Sequence, residues 1–131
     1  MRIEVYDSTL RDGAQAEGIS YSLEDKLLIA RRLDDLGVHY IEGGWPNPTN
    51  PKDLAFFQEA KKLGLKARVT AFGSTRRATK APDDDDTLQT LLAAETDSIA
   101  LFGKSWTLHA TEILRTTLAG NVQLIEDSVA Y

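Results

Sequence analysis

Four short β-prone runs punctuate the chain: Ile3-Glu4-Val5-Tyr6, Val38-His39-Tyr40-Ile41-Glu42, Lys66-Ala67-Arg68-Val69-Thr70-Ala71-Phe72 and Ser98-Ile99-Ala100-Leu101-Phe102. Each is rich in β-branched and aromatic residues and is closed by glycine or a polar turn, the pattern of a strand. Between them apolar residues recur at the three- and four-residue spacing of a helix face. The first helix is predicted to begin at Ser22, with Asp25 as a capping-box partner, and to end at Gly37. Its apolar face is Leu23, Leu27, Ala30 and Leu33. The second opens on Asn50-Pro51, a cap followed by a proline whose missing N–H costs nothing there. It carries Leu54, Phe57 and Ala60 and stops at Gly64. A third runs from about Thr87 through Leu88, Leu91 and Leu92, and a fourth carries Leu114, Leu118, Val122, Ile125 and Val129.

Strand and helix alternate four times, the signature of βα units around a parallel sheet. A closed barrel of eight such units needs about 250 residues. The expected fold is therefore α/β, of the (β/α)8 TIM-barrel class, with this chain covering the first four units. Residues 1–131 are read as one N-terminal half of a barrel catalytic domain, without internal boundary. The chain reaches Tyr131 inside an apolar-periodic helix, so a fragment is expected. Glu4, Glu42 and Arg68 fall within strands, where a polar residue either reaches the sheet's end or points into a barrel mouth.

Composition narrows the function. The chain carries a formal net charge of −5, no cysteine and 42% hydrophobic residues, which suits a globular domain. No apolar run reaches the ~18–20 residues that span a bilayer, and no basic segment precedes an apolar stretch at the N-terminus. A cytoplasmic protein without a membrane partner is expected. The basic pairs Arg31-Arg32, Lys61-Lys62 and Arg76-Arg77 are scattered among acids, which argues against a nucleic-acid partner. The run Asp83-Asp84-Asp85-Asp86 lacks the glycine bend of a cation loop and is read as capping the third helix.

The chemistry concentrates after the first strand, in Asp7-Ser8-Thr9-Leu10-Arg11-Asp12-Gly13-Ala14-Gln15. Barrel enzymes place their reacting groups at this end of their strands. Adjacent arginine and aspartate offer a cation that grips a carboxylate or ketone oxygen and an anion that holds a divalent metal. Gly13 is read as permitting a turn that bulkier residues resist.

This segment resembles the Asp-x-Thr-Leu-Arg-Asp-Gly-x-Gln signature of the barrel family that includes 2-isopropylmalate, homocitrate and citramalate synthases and the hydroxymethylglutaryl-CoA lyases. Tyr40-Ile41-Glu42-Gly43-Gly44-Trp45-Pro46 is similar to its Ile-Glu-x-Gly-x-Pro segment. Ala71-Phe72-Gly73-Ser74-Thr75-Arg76-Arg77 and Leu101-Phe102-Gly103-Lys104-Ser105-Trp106 extend the likeness towards the citramalate-forming branch. The resemblance implies a metal-dependent acyltransferase of branched-chain amino-acid (isoleucine and leucine) biosynthesis. It would condense acetyl-CoA with pyruvate, a 2-oxo acid, to (R)-citramalate by a Claisen-type reaction, and work as a homo-oligomer. It implies Arg11 and Glu42 as catalytic residues. Arg11, Gln15, Leu101 and Phe102 would bind substrate, and Asp12 would be a ligand of Mn, Mg or Zn. The family completes that metal site with a His-x-His pair, whereas this chain has only His39 and His109. Trp45 and Trp106 lie on loops at the same face, where each either covers substrate or packs its loop. Three readings remain open: citramalate formation, another reaction of the same family (2-isopropylmalate or homocitrate synthesis, or lyase-type cleavage), and a non-catalytic half-barrel binding module.

Overall fold

A computed structural model describes residues 1–47 and 49–131. Four parallel strands form one sheet in chain order: β1 (Tyr6–Asp7), β2 (Tyr40–Gly44), β3 (Arg68–Ser74) and β4 (Ser98–Phe102). Each is followed by a helix, giving α1 (Leu23–Leu36), α2 (Pro51–Ala60), α3 (Asp86–Ala93) and α4 (Leu118–Ala130). This is the expected set of four βα units, the α/β half-barrel.

Local chemistry starts and stops the helices. In α1, Ser22 accepts from the Asp25 amide and the Asp25 carboxylate accepts from the Ser22 amide, the capping box expected. Gly37 ends it in the left-handed conformation. Asp85 caps α3 by accepting from the Thr87 and Leu88 amides, and its other oxygen accepts from the Arg77 amide. The acidic run thus supplies a helix cap. Asn50 does not cap α2 with its side chain; it donates instead to Asp53. The helix continues as a tighter turn over Lys61–Leu63 before Gly64 turns left-handed.

Side chains alternate across the sheet, so each strand feeds two layers. Ile41, Val69 and Ala71 point to the helices and form the core with Ala30, Phe56, Phe57, Leu88 and Leu91. Tyr6, Tyr40, Glu42, Thr70 and Phe72 occupy the other face, where Tyr6 stacks on Tyr40 and Thr70 hydrogen-bonds Ser98. The lower ends of the strands are tied by polar bonds. His39 Nδ1 accepts from the Val5 amide, Asp34 from the Lys66 and Ala67 amides, and Asp97 from the Val69 amide.

Three expectations are corrected. β1 is confined to Tyr6–Asp7, because the Val5 carbonyl already collects the His39 and Tyr40 amides where pairing begins. The fourth helix begins at Leu118 and buries Leu124 and Ser128, leaving Val122 and Val129 exposed. It is docked by polar bonds: Arg76 pairs with Asp127, and Ser128 Oγ accepts from the Arg76 amide. In α2 the buried residues are Asp53, Phe56, Phe57 and Ala60, with Leu54 only half-buried. No helix among the described residues is long and apolar enough to cross a membrane.

Candidate active site

The loop after β1 is built around one carbonyl. The Ser8 oxygen accepts from the amides of Arg11, Asp12 and Gly13, at 2.9–3.1 Å, so the chain turns tightly just past the strand. Asp7 prepares the turn by accepting from the Thr9 amide at 2.9 Å and the Thr9 hydroxyl at 3.1 Å. Leu10 is buried in the core and anchors the loop, which aims the next two side chains outward over the strand ends. Gly13 is not needed for the turn: it lacks a positive φ, and an added Cβ would meet its nearest neighbours at 3.8 Å, an ordinary contact.

Arg11 is held on three sides. Its Nε donates to Glu42 Oε2 at 2.8 Å, its Nη1 donates to Asp12 Oδ1 at 2.9 Å, and its guanidinium carbon lies 4.0 Å from the centroid of the Phe72 ring. Charge-assisted bonds and a cation–π face of this kind fix a planar guanidinium far better than a flexible ammonium. Glu42 is 2% exposed, and its other oxygen accepts from the Tyr6 hydroxyl at 2.8 Å. Burial, the hydrogen bond to Glu42 and that carboxylate's charge push the Tyr6 phenol above its ordinary pKa, with Arg11 pulling the other way.

Of the residues expected at the site, Arg11 contacts Asp12 and Glu42 directly, and Gln15 follows in the same loop. Arg11 and Gln15 line one cavity of about 460 Å³ with Ala14, Tyr21, Trp45 and Phe72. Glu42, however, is hydrogen-bonded by Arg11 and Tyr6 and does not line that cavity. Leu101 is corrected outright. It packs against the helix-side core and lines a groove with Leu88, Leu91 and Val129, on the opposite side of the sheet from Arg11. Phe102, the last residue of β4, is exposed, with the Lys104 ammonium 5.0 Å from its ring centroid, and does not line the Arg11 cavity. Trp106 stacks edge-on with His109, away from the cavity. Glu4 does not pair with Glu42 but accepts from the Tyr40 hydroxyl at the lower end of the sheet.

A second buried cluster shapes the cavity wall. Lys26 on α1 donates to the Gly43 carbonyl and pairs with Asp53 on α2. Asp53 also accepts from the Trp45 amide at 3.0 Å and from Asn50 at 2.9 Å. Trp45 then meets Phe72 edge-to-face, with ring centroids 5.7 Å apart. Two glycines make this possible. A Cβ on Gly43 would collide with Phe56 and one on Gly44, at φ +145°, with Asp53, so the β2 bulge needs both. Sequence reasoning missed Tyr6, Lys26 and Asp53; lysine and aspartate on helix faces read as solvated charges, and only the folded packing buries them.

The donors do not complete a cation site. Asp12 is an exposed carboxylate already engaged by Arg11, and no group of three His, Cys, Asp or Glu able to hold a metal occurs among the described residues. His39 serves β1 and His109 stacks on Trp106, so neither approaches Asp12's loop.

Comparison with known proteins gives consistent relatives. A family profile described as HMGL-like matches residues 2–131. The (R)-citramalate synthase of Aquifex aeolicus is 55% identical over 131 residues, which are 99% of this chain and 25% of that protein. The (R)-citramalate synthase of Geobacter sulfurreducens is 55% identical over 130 residues, 98% of this chain and 24% of the relative. A 2-isopropylmalate synthase of Saccharolobus solfataricus is 34% identical over 99% of this chain and 32% of its own. Among solved structures, the HMG-CoA lyase of Bacillus subtilis superposes with a TM-score of 0.71 at 15% identity, covering 98% of this chain and 42% of that one. The chain spans about a quarter of the length of the citramalate synthases it matches.

Proposed function

The chain belongs to the HMGL-like family, and from that premise we propose that it is the N-terminal part of an acyltransferase condensing acetyl-CoA with pyruvate to (R)-citramalate. One observation carries the reading: a guanidinium held by Glu42, Asp12 and Phe72 at the edge of a cavity that also presents Gln15. A 2-oxo acid seated there meets Arg11 through its carboxylate or ketone oxygen. As the acetyl carbon adds to the ketone, negative charge gathers on that oxygen, and a cation already fixed in place stabilises it without reorganising. Gln15 hydrogen-bonds the same ligand. Glu42, with both oxygens engaged, does not take the proton from the acetyl methyl; it keeps Arg11 aimed.

The choice of pyruvate follows the gradient of likeness, 55% identity to citramalate synthases against 34% to a 2-isopropylmalate synthase. Asp12 is assigned as one ligand of a divalent cation, Mn, Mg or Zn, whose other donors come from the remainder of the parent protein. We place that parent in the cytoplasm, as a homo-oligomeric enzyme of branched-chain amino-acid (isoleucine and leucine) biosynthesis, with these residues as the first four units of its barrel. The test is CoA release by the full-length parent with a divalent cation, acetyl-CoA and a series of 2-oxo acids. Pyruvate should give the highest kcat/KM and citramalate as product. A preference for the branched 2-oxo acid with a longer side chain would move the assignment to 2-isopropylmalate synthesis.

A further inference from the structure

Glu42 poses a problem that Arg11 alone does not solve. A buried carboxylate needs partners for both oxygens, since an unpartnered buried oxygen costs its full desolvation and lets the group rotate or take up a proton. Arg11 satisfies Oε2 only. The Tyr6 hydroxyl satisfies Oε1 at 2.8 Å, from β1, the strand that leads directly into the Arg11 loop. The Tyr6 ring is itself fixed, stacked on Tyr40 at 6.0 Å between centroids and 30° between planes. Tyr40 is fixed in turn: its hydroxyl donates to Glu4 and accepts from Arg68.

We propose that Tyr6 is a positioning residue of the active site, its hydroxyl locking Glu42 so that the opposite carboxylate oxygen keeps the Arg11 guanidinium aimed at the 2-oxo acid. The proposal rests on the reading of Arg11 as the group that grips that substrate. The chain Tyr6–Glu42–Arg11 joins β1, β2 and the catalytic loop through two short hydrogen bonds. Its raised pKa keeps the phenol a donor through the physiological range. Phenylalanine at this position would preserve the ring stack on Tyr40 and remove only the hydroxyl, which separates orientation from packing.

The experiment uses the full-length parent with Tyr6→Phe, Glu42→Gln and the double variant. Tyr6→Phe should lower kcat roughly 10–100-fold, the usual loss when a partner that orients a working group is removed. The KM for acetyl-CoA should stay within about twofold, since that ligand does not depend on Arg11's aim. The double variant should be no slower than Glu42→Gln alone within about twofold, because the hydroxyl acts only through Glu42. A merely structural tyrosine would instead lower thermal stability and multiply its loss onto that of Glu42→Gln. A crystal structure of the Tyr6→Phe parent supplies a readout independent of substrate: Arg11 should leave Glu42 or adopt more than one rotamer. A kcat within twofold of the parent, multiplicative losses, or Arg11 unmoved on Glu42 would each overturn the proposal. A parent inactive towards every 2-oxo acid would refute the functional reading instead, and the crystal structure would still decide the role of Tyr6.

Discussion

At the scale of the residue, the site depends on how a single guanidinium is held. Arg11 donates through Nε and Nη1 and presents its flat face to Phe72, three constraints that all use its planar fork. Lysine keeps the charge but can satisfy neither the two-donor geometry nor the stacked face. Arg11→Lys in the full-length parent should therefore cut kcat by roughly two orders of magnitude, as misplacement by an ångström does. Steady-state kinetics with pyruvate check this, and a kcat within a few-fold would remove the transition-state role. The sequence made Arg11 and Asp12 legible because a polar loop after a strand is visible in one dimension. Glu42 stood out as a charge inside a strand, but its place beside Arg11 was implied only by its resemblance to a family segment. Tyr6 was not legible at all, since it reads as one more aromatic strand residue until β2 comes to lie beside β1. Leu101 failed for a related reason: Ile99-Ala100-Leu101-Phe102 has no polar alternation to say which face each side chain takes.

At the scale of the element, the signals that are local in sequence proved the clearest. Ser22, Asp25 and Gly37 delimit α1 as read, because a cap is satisfied within one turn. What joins α1 to α2 is not local. Lys26 and Asp53 are 4% and 8% exposed, and they meet beneath the β2 bulge, where Asp53 also holds the Trp45 amide. Removing one member of a buried pair leaves the other charge uncompensated. Lys26→Met should thus cost about 3 kcal/mol or more of stability, whereas Ser22→Ala at the solvent-facing cap should cost about 1 kcal/mol. Chemical denaturation of the two variants tests the order, and equal losses would mean that the buried pair contributes no more than a cap. The same reasoning explains the misread face of α4. Its apolar spacing favoured Val122 and Val129, but Ser128 and Asp127 bind Arg76 and turn the helix so that Leu124 faces inward.

At the scale of the whole molecule, the sheet is open. Among the described residues β1 and β4 each pair on one side only, and Tyr6, Ile99 and Phe102 remain exposed near those edges. Unpaired strand edges beside apolar surface recruit other chains. The 131-residue chain, expressed alone, should therefore self-associate, with light scattering showing a mass that rises with concentration. A strictly monomeric species at high concentration would contradict the edge argument. The order of the strands has a further consequence, for how the chain comes to be folded. Among the described residues each strand after β1 pairs with the one before it in sequence, across roughly thirty residues. Loop-closure costs are thus met in small successive steps. During synthesis, each βα unit leaving the ribosome finds a template already in place. Tyr6, Arg11 and Glu42 all lie in the first two units, so the hydrogen-bonded side of the Arg11 guanidinium is set first, and Phe72 of the third unit then supplies its stacked face.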